Sequence, residues 1–353
     1  MTATALRRPS IFVAAAALAA MAALAGPAPA QEFEKNIMTG GPSGTYIQIG
    51  RDISRVASEC DLTWKVLESA GSLENFLGVR KRPNTQFGIV QSDVLEYLKT
   101  YSVDDPVIAR AIFGVRIAFP LYNEEVQVLA LRELTDLQSL DGRRVAVGVE
   151  DSGTFLTASL VLDLAGVRPA ERRTISPGDS LEALLAGEID AFFYVAGAPT
   201  KLFESDRIDP ARFHLLPISD PRLQAVYQPT VIAGGTYPFQ PEAVDVIAVK
   251  AVLMTYEYDP RRNAYLRESC RAVSDLSHLL LTNFADLQES GHPKWREVDL
   301  QDLPPGWEVG FCVNQGLAPD YRVACPGRAP EAPSIESEAN AAYRGRICAA
   351  IGC

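Results

Sequence analysis

Apolar residues follow two alternating patterns along most of the chain. Short apolar runs such as Gln86–Val90 and Val126–Leu131 predict strands. Between such runs, apolar residues recur every three or four positions, as at Ile49, Ile53 and Val56, which predicts helices. Strands that alternate with helices are typical of parallel sheets with helices on their faces. The sequence therefore predicts an α/β fold.

Two turns between a strand and a helix are rich in glycine and hydroxyl residues. Thr39–Tyr46 follows a short apolar run, and Ser43 or Thr45 is expected to cap the helix that begins there. Glu150–Thr154 follows the strand Arg144–Val149 and leads into a second helix. Free N–H groups at helix N-termini attract carboxylates and other anions. The matched turns predict a ligand held between two parts of the protein.

Three further helix starts are expected, two between these turns and one after them. Ser72 is expected to cap one helix, and Ser92 or Asp93 is expected to start the next. The segment Asp179–Glu182 has the spacing of a capping box, and its helix is expected to end at Gly187. Ligands of open α/β sheets bind beyond the carboxyl ends of the strands, where such turns lie.

Residues 1–30 have the pattern of a cleavable signal peptide. Two arginines precede the apolar stretch Ile11–Ala25, and Ala28–Ala30 is a small-residue cleavage site. A spanning helix is the alternative, but the run is shorter than the roughly 20 residues that a bilayer needs. The mature chain is expected to begin at Gln31 and to be a soluble periplasmic protein. Its formal net charge is then about −13, which excludes a basic nucleic-acid surface.

Six cysteines and an irregular tail mark the rest of the chain. The segment 303–353 is rich in proline, glycine and alanine, and four of the cysteines lie in it. An exported chain with an even cysteine count is expected to form disulfides, and proximity in sequence favours Cys312–Cys325 and Cys348–Cys353. Cys60 and Cys270 are left as a third pair or as two buried thiols.

Catalytic and metal-binding patterns are missing from the sequence. None of the three histidines, His214, His278 and His292, has a neighbouring nucleophile or carboxylate motif. Gly40–Gly44 has neither the frame of a nucleophile elbow nor the Gly-Lys-Ser/Thr of a phosphate loop. No cysteine pair has zinc spacing. The protein is expected not to be an enzyme and to need no cofactor or metal.

Seven segments in order match a known family. They are Thr39–Tyr46, Gly71–Asn75, Gln91–Asp93, Gly148–Thr154, Gly187–Ala191, Gly197–Pro199 and Ile232–Pro238. With this spacing the chain resembles the TAXI-type solute receptors of TRAP (tripartite ATP-independent periplasmic) transporters from about Asn36 to His292. It departs from them at Ile47, where a second aromatic residue often follows the first, and in its cysteine-bearing tail.

The resemblance implies a two-lobed periplasmic binding protein fold (type II-like) with a hinge, a central ligand cleft and a Cys-rich irregular C-terminal extension. The expected parts are one lobe of residues 31–122 and 231–302, a second lobe of residues 123–230, and the extension 303–353. The chain is expected to cross between lobes at Val126–Leu131 and to return at Thr230–Ala233.

The resemblance and the two turns together predict a ligand site. Backbone N–H groups, hydroxyls and tyrosine rings at the cleft are expected to hold a small ligand, although ordinary helix caps and core tyrosines are the alternative. The expected ligand-binding residues are Thr39, Gly40, Ser43, Gly44, Thr45, Tyr46, Ser72, Asn75, Gln91, Ser92, Ser152, Gly153, Thr154, Pro199 and Tyr237. Glu74, Asp93 and Asp190 are expected to be structural, or to bind an amino group if one of them lines the cleft.

The implied function is capture of a small carboxylate or amino-acid ligand and its delivery to TRAP membrane permease subunits. Family members are associated with glutamate, glutamine and 2-oxoglutarate. No arginine in the predicted turns marks a site for a second carboxylate. A periplasmic sensor that reports to a signalling protein is the alternative function.

Overall fold

The computed structural model of the protein describes residues 33–325, 345–346 and 349. The predicted signal peptide lies outside these residues, and so do Cys348 and Cys353 with their predicted pairing. Along the described residues, no helix is long and apolar enough to cross a membrane.

Strands and helices alternate through the described chain. The strands are β1 (Asn36–Met38), β2 (Lys65–Leu67), β3 (Thr85–Gln91), β4 (Val115–Leu131), β5 (Arg144–Ala146), β6 (Glu171–Arg173), β7 (Ala191–Ala196), β8 (Phe213–Leu215), β9 (Gln228–Ile232) and β10 (Val244–Tyr256). The helices are α1 (Thr45–Ser58), α2 (Ser72–Lys81), α3 (Ser92–Tyr101), α4 (Pro106–Ile112), α5 (Gly153–Ala165), α6 (Pro177–Leu185), α7 (Pro221–Gln224), α8 (Ala264–Thr282), α9 (Phe284–Ser290) and α10 (Phe311–Gly316).

One sheet runs through the protein in the order β2-β1-β3-β10-β4-β7-β5-β6. The strands β1, β2 and β3 are parallel to one another, and β5, β6 and β7 form a second parallel set. The long strands β4 and β10 pair with each other in antiparallel fashion and join the two sets. The predicted two-lobed α/β fold is confirmed by this arrangement, and the two sets with their helices are called the first and second halves below.

The return to the first half differs from the prediction. Thr230–Ala233 belongs largely to β9, which pairs only with the start of β10, at Val244–Ala248. The chain then crosses through β10 itself, whose residues Ala251–Met254 pair with β3. A long strand that reaches both halves satisfies its backbone hydrogen bonds throughout the crossing, which a short exposed segment does not.

Apolar side chains fill both faces of each half. In the first half, Ile53 of α1 and Leu276 of α8 pack on one face, and Phe76 of α2 packs on the other. In the second half, Val161 of α5 and Leu184 of α6 lie in separate clusters. Each half therefore has its own core, as parallel sheets covered on both faces require.

The start of the predicted extension packs against the first half. Val309 forms a parallel bridge with Ile117 of β4, and the Ile117 N–H donates to the Glu308 carbonyl at 2.9 Å. Val313 and Leu317 are buried in the same core as α8. The chain as far as Leu317 therefore belongs to the core of the first half.

The predicted disulfide Cys312–Cys325 is wrong. Both cysteines are oxidised, but Cys312 pairs with Cys270 and Cys325 pairs with Cys60, over separations of 42 and 265 residues. The reason is tertiary: α10 packs against α8, which brings Cys312 to Cys270, and the chain then reaches the end of α1 at Cys60. Packing of distant segments decided the partners, and proximity in sequence did not.

The start of α6 also differs from the prediction. Its N-cap is Ser176, whose hydroxyl accepts a hydrogen bond from the Asp179 N–H at 3.2 Å. Asp179 therefore lies inside the helix, and the capping box predicted to begin there is wrong. Pro177 at the first helical position favours the earlier start, because its fixed φ suits a helix N-terminus.

Candidate functional site

A cavity of about 270 Å³ lies between the two halves. The first half contributes the turn before α1, the start of α1, the turn before α2 and the end of β3. The second half contributes the turns before α5 and α6 and the end of β7. The walls are thus built from strand ends and helix starts, the place where open α/β sheets bind ligands.

Nine of the predicted ligand-binding residues line this cavity. They are Gly40, Ser43, Gly44, Tyr46, Ser72, Gln91, Ser152, Gly153 and Thr154. The turns at residues 43–46 and 152–154 therefore face one cavity from opposite halves. Their part in ligand binding stays a prediction.

Six other predicted residues do not line the cavity. Three of them support the turns from behind. Thr39 Oγ1 donates to a backbone carbonyl at 2.8 Å, and Thr45 Oγ1 donates to the carbonyl of Gly197 at 2.7 Å. Asn75 Nδ2 donates to the carbonyl of Ile89 at 2.7 Å. All three side chains are buried, so their hydrogen bonds fix the backbone that shapes the site.

The remaining three are Ser92, Pro199 and Tyr237. Ser92 Oγ accepts a hydrogen bond from the Lys250 N–H at 3.3 Å. Pro199 follows a cis peptide bond, and Tyr237 is fully buried with its hydroxyl donating to Gln127 Oε1 at 2.6 Å. Ser92 thus links the start of α3 to β10, and the Tyr237 hydroxyl, which also accepts from the Thr200 N–H at 3.1 Å, links β4 to the loop after β7.

The N-terminus of α1 has no side-chain cap. Its N-cap is Gly44, so the predicted cap by Ser43 or Thr45 is wrong. Thr45 is already the first helical residue, and its hydroxyl is used by the carbonyl of Gly197. Because the cavity lies at this end of α1, the N–H groups of the first turn are left to interact with what the cavity holds.

The N-terminus of α5 is capped and still presents a hydroxyl. Ser152 Oγ accepts from the Phe155 N–H at 3.0 Å and donates to the carbonyl of Val149 at 2.6 Å. Thr154 Oγ1 accepts from the Val195 N–H at 3.2 Å, so the Thr154 hydroxyl proton is available to a second acceptor. Thr154 lines the cavity and can donate to a ligand there.

Hydrogen bonds between the halves close one side of the cavity. The N–H groups of Leu73 and Glu74, in the first turn of α2, both donate to the carbonyl of Asp151 at 3.2 Å. Thr157 of α5 donates to Asp93 Oδ2 of α3 at 2.6 Å. The first turn of α2, predicted to be capped by Ser72, is therefore satisfied by a carbonyl of the other half instead.

Sequence reasoning missed Glu124, which lines the cavity. Only 1% of this residue is exposed, and its Oε2 accepts a hydrogen bond from the Tyr46 hydroxyl at 2.8 Å. Burial raises the pKa of the Glu124 carboxyl to about 8, against the opposing effect of hydrogen bonds from Tyr46 and Gln91. One feature of the sequence could have pointed to Glu124: the two adjacent acids Glu124 and Glu125 interrupt the long apolar strand β4.

The neighbouring Glu125 is buried too, but it has a cationic partner. Its Oε1 accepts from Lys294 Nζ at 2.6 Å, and its Oε2 accepts from the Ala198 N–H at 2.7 Å. Burial raises the pKa of Glu125, and Lys294 opposes that rise. Successive side chains of a strand point to opposite faces, so one acid meets Lys294 and the other meets the cavity.

Besides Glu124, thirteen lining residues were not among the predicted ligand-binding residues. They are Gly41, Pro42, Ser69, Ala70, Gly71, Gly148, Val149, Ser176, Pro177, Gly178, Tyr194, Val195 and Ala196. Tyr194 matters most, because it is a large buried side chain with a hydroxyl at the cavity. Burial raises the pKa of Tyr194, so it is a neutral hydrogen-bonding group there.

The charges around the cavity are few. The described lining residues include no lysine, arginine or histidine, and Glu124 is the one acid among them. Of the three acids considered from the sequence, Glu74 accepts from the Ala70 N–H at 2.7 Å and Asp190 pairs with Arg144 at 2.6 Å. Asp93 accepts a hydrogen bond from the Thr157 hydroxyl. None of these three acids lines the cavity. Among the described residues, no cluster of His, Cys, Asp or Glu is arranged to hold a metal ion.

Comparison with known protein families identifies the family of the chain. Residues 37–267 match the NMT1-like family, which is well over half of the sequence. The protein belongs to the NMT1-like family. The match covers both halves of the sheet and every segment that lines the cavity of this NMT1-like protein.

Solved structures similar to this NMT1-like chain have low sequence identity. One described as a periplasmic transporter is 15% identical, with 73% of this chain and 87% of that chain covered and a TM-score of 0.45. MatC from Rhodopseudomonas palustris with bound malate is 16% identical over 72% and 88% of the two chains, with a TM-score of 0.43. A histidine kinase sensor domain with similarity to periplasmic binding proteins is 14% identical over 75% and 96%, with a TM-score of 0.42.

Proposed function

We propose that this protein is the periplasmic solute-binding receptor of a TRAP transporter, without enzymatic activity. It captures a small carboxylate or amino-acid ligand and delivers it to the membrane permease subunits. The observation that carries the proposal is the cavity between the halves, onto which the starts of α1 and α5 both open. The ordered segments that resemble TAXI-type receptors, at residues 39–46 and 148–154, supply both of these turns.

The ligand carboxylate is held by N–H groups and hydroxyls. The uncapped first turn of α1 offers N–H groups, and Ser43 and Thr154 add hydroxyl donors. A helix N-terminus contributes roughly 0.3–1 kcal/mol to anion binding when exposed and up to about 2 kcal/mol when partly buried. Charge-assisted hydrogen bonds to the same carboxylate add to this and offset its desolvation.

Capture works by closure about β4 and β10. These strands cross between the halves, so bending them opens or closes the cavity. The bonds from Leu73 and Glu74 to Asp151, and from Thr157 to Asp93, form when the halves meet. A ligand that contacts both α1 and α5 favours the closed state, since it gains its full set of contacts only there.

A periplasmic sensor is the second candidate function. The same cavity and the same closure serve a protein that reports ligand binding to a signalling partner. Uptake of radiolabelled ligand by cells that lack the gene separates the two functions. Loss of uptake supports the receptor function, whereas intact uptake with a lost transcriptional response supports the sensor.

A thermal-shift screen tests ligand binding itself. The chain from Gln31 onward is titrated with amino acids, their 2-oxo acids and other small organic acids. A ligand at about 100 times its Kd stabilises the folded protein by about 2.7 kcal/mol, which a melting curve resolves. Stabilisation by a small carboxylate or amino acid supports the proposal. A folded protein that none of these compounds stabilises contradicts it.

A further inference from the structure

We propose that Glu124 makes the cavity selective for ligands that carry a protonated amino group together with a carboxylate. Dicarboxylic acids that lack an amino group are rejected. The inference rests on the proposed solute-binding function and names both the ligand class and the residue that selects it.

Glu124 has no cationic partner among the described residues. Glu124 is 1% exposed, faces the cavity and lies within hydrogen-bond reach of Tyr46, a neutral group. Within the described chain, no lysine, arginine or histidine forms an ion pair with it. A buried carboxylate without a counter-charge is strongly unfavourable. A cation brought by the ligand removes that penalty, so the cavity favours ligands that carry one.

Glu125, the next residue of β4, differs from Glu124 in having a cationic partner. That acid is also buried, 6% exposed against 1% for Glu124, yet Lys294 lies 2.6 Å from it. The protein thus neutralises one of two adjacent buried acids with its own lysine and leaves the other for the cavity. An ammonium group of the ligand neutralises Glu124 in the way that Lys294 neutralises Glu125.

The start of α1 lies close enough to Glu124 to hold the carboxylate of the same ligand. Tyr46 lies in the first turn of α1 and donates to Glu124, so Glu124 and the uncapped start of α1 are linked through one side chain. The helix start attracts a carboxylate, while Glu124 attracts an ammonium group. A second ligand carboxylate would meet no basic side chain among the lining residues described above, so its desolvation would not be compensated.

The protonation of Glu124 makes the selection dependent on pH. Its surroundings contain other titratable groups on several elements: Tyr46 on α1, Asp93 on α3, Tyr122 and Glu125 on β4, and Tyr194 on β7. Burial raises the pKa of Glu124 to about 8 and that of Asp93 to about 6. At pH 7 the free protein therefore holds a proton on Glu124, and an ammonium ligand displaces that proton to solvent.

Calorimetry on matched ligand pairs tests the selection. The pairs are an L-amino acid and the 2-oxo acid with the same carbon skeleton: alanine and pyruvate, leucine and 4-methyl-2-oxopentanoate, glutamate and 2-oxoglutarate. At pH 8, the amino acid of the pair that binds is expected to bind at least about 30-fold more tightly than its 2-oxo acid. In Glu124→Gln the ratio is expected to fall below about threefold, since an amide removes the charge and keeps the shape.

Glu289→Gln is the matched control. Glu289 lies in α9 with an exposed side chain and does not line the cavity, so the same change of charge leaves the ratio as in the wild type. Circular dichroism and melting curves establish that each variant is folded. Titration at pH 7 in two buffers of different ionisation enthalpy is expected to show release of up to one proton in the wild type and none in Glu124→Gln.

The outcomes separate the inference from the function on which it rests. If a 2-oxo acid binds as tightly as its amino acid, or if Glu124→Gln keeps the preference, the selection by Glu124 is overturned while solute binding stands. If the folded wild type binds none of the amino acids, 2-oxo acids and other organic acids of the thermal-shift screen, both the selection and the proposed amino-acid or carboxylate function are overturned.

Discussion

Lys294 Nζ lies 2.6 Å from Glu125 Oε1, and both side chains are almost completely buried. Lys294 belongs to the 3₁₀ segment Pro293–Glu297, which follows the long helices of the first half, whereas Glu125 lies in the crossing strand β4. The ion pair therefore fixes the C-terminal part of the first half to a strand that joins the two halves.

Replacement of Lys294 by methionine is expected to destabilise the fold. The change leaves the Glu125 carboxyl buried without its cation, and breaking a buried pair in this way costs about 3–5 kcal/mol. Urea unfolding monitored by circular dichroism measures the loss. The double change Glu125→Leu with Lys294→Met removes both charges and is expected to recover much of the stability. A single variant as stable as the wild type would show that the pair contributes nothing.

The stability of the folded protein is expected to fall between pH 5 and pH 8. The pKa of Glu124 is raised from 4.5 to about 8, so in this window the folded state binds a proton that the unfolded state has lost. Stability from a raised carboxyl pKa is present at low pH and disappears as the pH rises, here by up to about 4 kcal/mol.

Glu124→Gln is the variant that isolates this pH effect. The amide does not titrate, so its free energy of unfolding is expected to change less between pH 5 and pH 8 than that of the wild type. Urea unfolding at several pH values supplies the comparison. Equal slopes in the two proteins would mean that Glu124 titrates normally.

The two turns that line the cavity were visible in the sequence because local signals encode them. Glycine and hydroxyl residues at 39–46 and 150–154 follow apolar runs and precede helical spacing, which needs no knowledge of the rest of the chain. Glu124 escaped because its role depends on what surrounds β4 in space. The same holds for Lys294, which becomes a partner only after the last part of the chain has packed.

The partners of the cysteines likewise depend on tertiary packing and could not be predicted from local sequence. Oxidation of Cys312 and Cys325 was predicted from the expectation that the chain is exported, whereas their partners depended on how α10 packs on α8. The caps of α1 and α2 were mispredicted for a related reason. Ser and Thr are good caps locally, but here Thr45 and Ser72 bond to groups distant in sequence, the carbonyl of Gly197 and the N–H of Gln91.

Peptide mapping under non-reducing conditions is expected to find Cys60 joined to Cys325 and Cys270 joined to Cys312. Changing Cys60 and Cys325 together to serine is expected to cost about 2–5 kcal/mol, because the bond closes a long loop in the unfolded chain. Guanidinium unfolding of the double variant measures this cost. A peptide that links Cys312 to Cys325 would contradict the pairing.

Thr154→Val is expected to weaken both ligand binding and folding. The change removes the acceptor of the buried Val195 N–H and the hydroxyl that faces the cavity, and each unpaired polar group costs about 1–3 kcal/mol. Thr154→Ser keeps the hydroxyl and is expected to restore both properties. Calorimetry and melting curves compare the three proteins. Unchanged affinity in a folded valine variant would remove Thr154 from the site.

Closure of the two halves on a ligand is tested most directly at Gly153. A Cβ atom at this position would overlap the side chains of Gln91 and Ser72 in the other half, so Gly153→Ala reaches the closed arrangement only if both side chains shift. Gly41 also lines the cavity, but a Cβ there meets nothing within 4 Å, so Gly41→Ala is the matched control. The measurement is the calorimetric affinity of the three proteins for the compound that most stabilises the wild type. Gly153→Ala is expected to bind the compound at least about tenfold more weakly than the wild type, a difference of about 1.4 kcal/mol. Gly41→Ala is expected to bind it with wild-type affinity. Wild-type affinity in a folded Gly153→Ala protein would contradict capture by closure.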